Sequence, residues 1–291
     1  MTPTLPPLYC ASHTISGSMP GTDARHDFAA RVDAVAAAGF DGLVIHFRDH
    51  LRLVQGGADP GAMRDHVARS GLAVPAVEFL ADWHDGPGLG SVEQAIETAH
   101  LFGAKTLNIG ADLAGLNPPL SALKDPFRRL CDVADAAGMT LALEMIAWGR
   151  ISTLEAACEL VALGQGQAGL LLDIWHLAPD GHLALEPLRA LDPSLVIGLQ
   201  INDAVPLAVS PQISLMDATR DRRFPGDGML DIPGFLAALW PSARACGVTV
   251  EVIAPFLAAL PLDECATRAA ASGRQALHRA AARRQEDAAD G

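Results

Sequence analysis

The stretch "LLLDIWHLA", residues 170–178, decides how the chain is read. An apolar run of the kind that forms a buried strand ends in Asp173, and Trp175 and His176 follow at once. A carboxylate and an imidazole at the tip of a buried strand need a reason. The reason is sought in whether other strands end in the same way.

They do. Short apolar runs recur as "LYCASH" (8–13), "GLVIHF" (42–47), "AVPAVEFL" (73–80), "KTLNIG" (105–110), "TLALEMI" (140–146), "GLLLDIW" (169–175), "VIGLQIND" (196–203) and "VTVEVIA" (248–254). Between them the pattern predicts helices at about 25–38, 60–70, 91–103, 119–137, 153–163, 184–191, 232–246 and 261–284. In "FAARVDAVAAAG" the residues Phe28, Val32 and Val35 recur every three or four positions, the spacing of one helical face. Gly39, Gly103, Gly138 and Gly247 stand where helices should stop. Polar residues mark the strand ends at 46, 78, 108, 144, 173, 200 and 251.

Eight βα units in succession are the requirement of a (β/α)8 TIM barrel, an α/β fold. A doubly wound open sheet would need a phosphate-cradling glycine turn after strand one, and "SHTISGSMPG" is a poor one. We therefore expect one barrel domain over residues 1–284. A 204–231 loop insertion is expected over the active site, and a disordered tail at 285–291.

Composition narrows the function. Half of the 291 residues are hydrophobic, ample for a single large core. The net charge of −13 repels nucleic-acid phosphates and anionic lipid, so neither nucleic acid nor membrane is an expected partner. A small-molecule substrate is expected, and a homo-oligomer is compatible. The N-terminus lacks the basic and apolar regions of a signal peptide, and the five cysteines are scattered without a CxxC pair. Both features suit a cytoplasmic protein.

Active sites of such barrels lie at the C-terminal ends of the strands. Those ends carry Glu144, Asp173, Gln200 and Glu251 on four successive strands. Alternation turns 142, 144 and 146 to one face and 198, 200 and 202 to one face. Three converging carboxylates repel, and a buried one costs several kcal/mol unless compensated. A divalent cation supplies compensation. The nearly all-oxygen set favours Mn²⁺ or Mg²⁺, with Co²⁺ or Zn²⁺ as alternatives. Taken singly, each carboxylate could instead cap a helix or pair with an arginine.

The motifs "LALEMI", "LLLDIWH", "LQIND", "RRFPGDGMLDIPGF" and "VTVEVIAPF", in this order, resemble the xylose-isomerase-like TIM-barrel superfamily over essentially the whole chain. The closer likeness is to its sugar phosphate isomerase/epimerase branch, with keto-sugar 3-epimerases, inosose dehydratases and 3-dehydroshikimate dehydratases. The resemblance implies that Glu144, Asp173, Gln200 and Glu251 bind the metal and that His176 and Arg222 bind substrate. Arg222 is preferred to Arg223 because it stands four residues before Gly226. Many members carry His where this chain has Gln200, and some dehydratases share the Gln.

The resemblance further implies proton abstraction next to a carbonyl that the cation polarises. Glu144 and Glu251 would be the acid/base pair on opposite faces of the substrate, with His176 as a third catalytic group. The first expectation is a metal-dependent sugar isomerase/epimerase acting on a keto-sugar or cyclitol ketone. A dehydratase (lyase) of the inosose or 3-dehydroshikimate type is the alternative, with His176 as acid for the departing hydroxyl. A non-catalytic sugar-binding barrel is the second alternative.

Further candidates for the pocket are Glu78, Asn108 and Trp83, with His46, Asp49, His50, Trp148 and Trp175 nearby. Glu78 reads either as an acceptor for a substrate hydroxyl or as a partner of Arg48. Asp203 is expected to orient a neighbour. The two lysines, Lys105 and Lys124, lie at the wrong end of a strand and on a helix, which excludes a Schiff-base aldolase.

Overall fold

A computed structural model describes residues 4–84, 90–178, 181–205, 214–220 and 222–290. The barrel strands are β1 (Leu8–Ala11), β2 (Gly42–His46), β3 (Val77–Leu80), β4 (Thr106–Ile109), β5 (Thr140–Glu144), β6 (Ala168–Asp173) and β7 (Val196–Ile201). Two short strands follow, β8 (Asp203–Ala204) and β9 (Arg222–Arg223), and then the last barrel strand, β10 (Val248–Val250). The barrel closes in the order β1-β10-β7-β6-β5-β4-β3-β2, every pair parallel. This is a single (β/α)8 TIM barrel, as the sequence pattern requires.

The helices bury their apolar stripes against the outside of the barrel. In Leu120–Ala136 the buried residues are Leu123, Phe127, Leu130, Cys131 and Ala134, the three-and-four spacing of one helical face. Each large side chain buried in this way contributes about 1.5–3 kcal/mol. The helix stops before Gly138, whose φ of 66° belongs to the left-handed region. On the lumen side the residues below the strand ends are small or apolar. A Cβ on Gly198 would sit 2.6 Å from Leu171, so the space left by glycine is filled by leucine.

Strand ends differ from the sequence pattern where a helix starts early. β6 stops at Asp173, not Trp175, because the Asp173 carboxylate accepts the Trp175 N–H at 2.9 Å and caps the helix Ile174–Leu177. β1 stops at Ala11, and the helix Ser12–Ser16 carries His13 inward. A helix at Phe47–Gln55 was not apparent in the pattern; Asp49 in its first turn is tied to Arg31 at 2.8 Å. The expected helix at 232–246 is two, Ile232–Ala238 and Trp240–Cys246, because Pro241 has no N–H to continue the ladder. The C-terminal helix runs from Leu262 through Asp290, past residue 284 where the sequence pattern fades. Among the described residues no helix is long and apolar enough to cross a membrane.

Candidate active site

The described parts of the 204–231 segment explain how a remote arginine reaches the barrel. β9 pairs antiparallel with β8, directly after β7, so that Ala204 faces Arg222 and Asp203 faces Arg223. Asp203 staples the turn that follows: its carboxylate accepts the Gly226 and Leu230 N–H groups, each at 2.9 Å. Gly228 is required there, since a Cβ would run into the Ala204 carbonyl. Arg222 is thereby driven inward and is 2% exposed, while Arg223 turns outward against Phe256.

Arg222 Nη1 lies 2.8 Å from Asp173 Oδ2 and 2.8 Å from Glu251 Oε2. Its Nε donates to the Ala218 carbonyl at 2.9 Å. The bond to Glu251 is well aligned. The approach to Asp173 is close but out of line, so Asp173 Oδ2 has a compensating charge without a hydrogen-bond donor. The alternative of an arginine partner thus applies to both carboxylates, and Asp173 is a helix cap as well. The expected substrate-binding arginine is first of all the counter-ion of two acidic side chains.

Glu144, at the end of β5, is 5% exposed and lies 3.4 Å from His176 Nε2. The Ala147 N–H donates to His176 Nδ1 at 3.2 Å. A neutral imidazole that accepts at Nδ1 carries its proton on Nε2. The protonated Nε2 is the atom that stands 3.4 Å from Glu144 Oε1. Burial, with help from Arg222, pulls the His176 pKa down to about 3. A neutral imidazole gives up its Nε2 proton less readily than an imidazolium does. The same tautomer argues against His176 as a metal ligand, although one ligand atom each from Glu144, Asp173 and His176 lies within 4.8 Å of the others.

Do the residues fit a divalent cation? Among the described residues Gln200 Oε1 and Asp173 Oδ2 are buried oxygens with no hydrogen-bond donor, which a cation would satisfy. Burial, and then the charges of Glu251 and Asp173, push the Glu144 carboxyl well above the ordinary range. Burial raises Glu251 to about 7 even with Arg222 opposing it. One arginine does not neutralise this group. The donors are hard oxygens and fit the expected ion class.

Glu144, Glu251, His176 and Arg222 border a cavity of about 330 Å³, whose opposite wall holds His13, His46 and Glu78. Asp173, Gln200 and Asn202 are not on its surface. Asn202 donates to Asp173 Oδ1 at 2.9 Å and holds that side chain in place. The mouth continues into a wider depression of about 1140 Å³, bordered by Leu113, Trp148, Leu215 and Met216.

The other candidates divide. Trp83 is not in the cavity: it is 5% exposed, donates to the Gly110 carbonyl at 2.6 Å and packs edge-on against Phe127. The expectation that it binds substrate is corrected, because a Trp this close to the outer helix layer gains more from packing. Asn108 lies below the wall, 3.5 Å from Glu78 Oε2. Arg48 pairs with Asp82 at 2.9 Å, not with Glu78. His50 packs against Phe102, away from the cavity.

His13 was missed. It meets His46 edge-on, with ring centroids 4.6 Å apart. Its surface is partly open only because the ring borders the cavity; the surroundings are dense, and burial lowers its pKa to about 4. The one available signal was its position directly after the first apolar run. The unfolded chain takes up this proton near the ordinary histidine pKa, while folded His13 refuses it until about pH 4. Stability from His13 is therefore complete above about pH 6.5 and is lost as pH falls toward 4. A preference of that size is worth about 3 kcal/mol at most. Urea unfolding at pH 7 and pH 4.5 should show wild type losing more stability than His13→Asn; equal losses would contradict the assignment.

Comparison with known proteins agrees with this geometry. The sequence profile of xylose isomerase-like TIM barrels matches residues 32–260. The chain is 30% identical over 267 residues to a 3-dehydroshikimate dehydratase of Pseudomonas aeruginosa, covering 86% of this chain and 38% of that protein. It is 29% identical over 143 residues to an inosose isomerase of Bacillus subtilis, covering 48% of this chain and 49% of the relative. The chain thus spans less than half the length of these relatives or matches only half of them. In fold it is similar to the IOLI protein solved with a binding zinc atom, at TM-score 0.77 and 20% identity over 93% of this chain and 98% of that one. A closed parallel barrel with acidic strand ends, and a profile match over most of its length, together place this chain in the xylose isomerase-like TIM barrel family.

Proposed function

We propose that the chain is a divalent-metal-dependent enzyme that removes the proton next to the carbonyl of a polyhydroxylated ketone and completes the reaction by loss of the β-hydroxyl as water. The observation that carries this reading is the set of oxygen donors from β5, β6, β7 and the end of β10, opening on one side to a cavity of small-ligand size. Glu144, Asp173, Gln200 and Glu251 would hold the cation, Mn²⁺ or Mg²⁺. When bound, it supplies Lewis-acid polarisation of the carbonyl and lowers the pKa of nearby carboxyls.

The chain's own residues do the rest. Glu144 borders the cavity beside His176, whose Nε2 lies 3.4 Å away, and takes the α-proton. Arg222 borders the same space and offers donors to substrate oxygens while restraining Glu251. Trp148, part-buried with its indole N–H on the Leu113 carbonyl, walls the mouth against water.

Dehydration is preferred because the likeness to a 3-dehydroshikimate dehydratase extends over 86% of this chain. The second reading is isomerisation or epimerisation. Glu144 and Glu251, both on the cavity surface, could each serve one face of a planar enolate, and half of the chain is similar to an inosose isomerase.

The test is NMR in D₂O with Mn²⁺ over 3-dehydroshikimate, inososes and ketoses. We expect α-deuterium incorporation with loss of water from at least one cyclic ketone. A stereoinverted ketose without water loss would select the epimerase reading. Neither exchange nor product across the panel with Mn²⁺, Mg²⁺ or Co²⁺ would leave a binding barrel as the better account.

A further inference from the structure

Loss of a hydroxyl as water needs a proton donor on the leaving oxygen, and the groups around the cavity can be sorted by whether they have one to give. Asp173 and Glu251 share Arg222. Glu144 has the His176 Nε2 at 3.4 Å. His176 is held as a neutral tautomer by the Ala147 N–H, and the His13–His46 pair, part-buried with ring centroids 4.6 Å apart, is kept neutral by desolvation. Glu78 is different. It is 2% exposed, borders the cavity, and lies early in β3, in register with His46 at the end of β2. Among the described residues its Oε1 is buried with no hydrogen-bond partner, and its Oε2 has one long contact, 3.5 Å to the Asn108 amide. No cation is within ion-pair distance among the described residues: Arg48 is held by Asp82 and Arg222 by the two carboxylates opposite.

A buried carboxyl without a counter-ion keeps its proton, because ionisation there has neither solvent nor charge to stabilise it. Burial, and then the charge of Glu251, act in that direction here. We infer that Glu78 is a further catalytic residue of this site, the acid that protonates the departing β-hydroxyl. The inference rests on the dehydratase reading above.

The step balances. The α-C–H bond breaks and its proton goes to Glu144. The electron pair left behind becomes the new C=C bond. The β-C–O bond breaks, its electrons stay on oxygen, and that oxygen takes the Glu78 proton and leaves as water. Glu78 ends as a carboxylate and Glu144 as an acid. One proton passed through solvent after product release restores both. No oxidant or other reactant is needed.

The test compares leaving groups. Fluoride departs without a proton, so a ketone with fluorine in place of the β-hydroxyl does not need the acid. The probes are 3-dehydroshikimate and its β-fluoro analogue, with Mn²⁺ present, and the readouts are product formation, fluoride release and α-deuterium incorporation. In Glu78→Gln, water loss should fall about 10²–10⁴-fold. Fluoride release should stay within about threefold of wild type, on the grounds that general acid catalysis is absent from that step. Glu78→Asp, which keeps a carboxyl, should recover part of the water loss. Fluoride release also reports that the variant is folded. Equal falls with both leaving groups, or no fall with either, would overturn the role of Glu78 while leaving the dehydratase reading intact. Wild type that neither exchanges the α-proton nor forms product would overturn that reading, and this inference with it.

Discussion

Glu251→Gln will abolish turnover and weaken divalent-ion binding, because it removes one of the negative charges that make the strand-end cluster attractive to a cation while keeping its size and shape. Glu251 borders the cavity and is held up to about 7 by burial, so its charge is one the free protein struggles to keep. The neutral amide leaves Arg222 with Asp173 as its remaining acidic partner. Turnover should drop by about 10²-fold or more, because the ion that polarises the carbonyl is held less well. Equilibrium dialysis against Mn²⁺ with elemental analysis measures the first effect, and α-deuterium incorporation the second. A variant that binds Mn²⁺ as tightly as wild type would remove Glu251 from the ligand set.

The second large effect concerns Arg222. Breaking a buried ion pair by removing one partner typically costs about 3–5 kcal/mol, since the remaining charge is stranded. Arg222→Met strands two, Asp173 and Glu251. In EDTA the variant should unfold at much lower urea than wild type. Added Mn²⁺ should restore more stability to the variant than it adds to wild type, because the cation then replaces the missing guanidinium as well as any hydration it displaces. If the variant is as stable as wild type in EDTA, Arg222 is not the counter-ion the geometry makes it.

Much of the fold was legible in the chain. Each barrel strand announced itself as a short apolar run, and the longer outer helices by their three-and-four spacing. These are local properties that hold whatever the neighbours are. The register of polar residues at strand ends was legible for the same reason: alternation along a strand settles which residues share a face, and Glu144, Asp173 and Gln200 all fall at β-strand ends. The misreadings lie where a side chain reaches its own backbone. Asp173 ends β6 two residues early by capping Trp175, and helix formers after His46 begin a helix that the apolar run had hidden. Trp83 misled because an aromatic near a barrel rim has two places to go, and only the position of Phe127 on an adjacent helix decides between them.

By itself the sequence determined the barrel, the order of its strands and the oxygen-bearing residue at each of four strand tips, because strand and helix periodicity is written in neighbouring residues. Only the tertiary structure decided who neutralises whom. Arg222 meets Glu251 across 29 positions of chain, and its pairing through β8 and β9 is what carries it there. His13 faces the cavity because β1 closes against β10, and Glu78 lacks a counter-ion among the described residues because Arg48 pairs with Asp82. Charge compensation inside a barrel depends on distances between strands that are far apart in the chain, and those distances exist only once the sheet has closed.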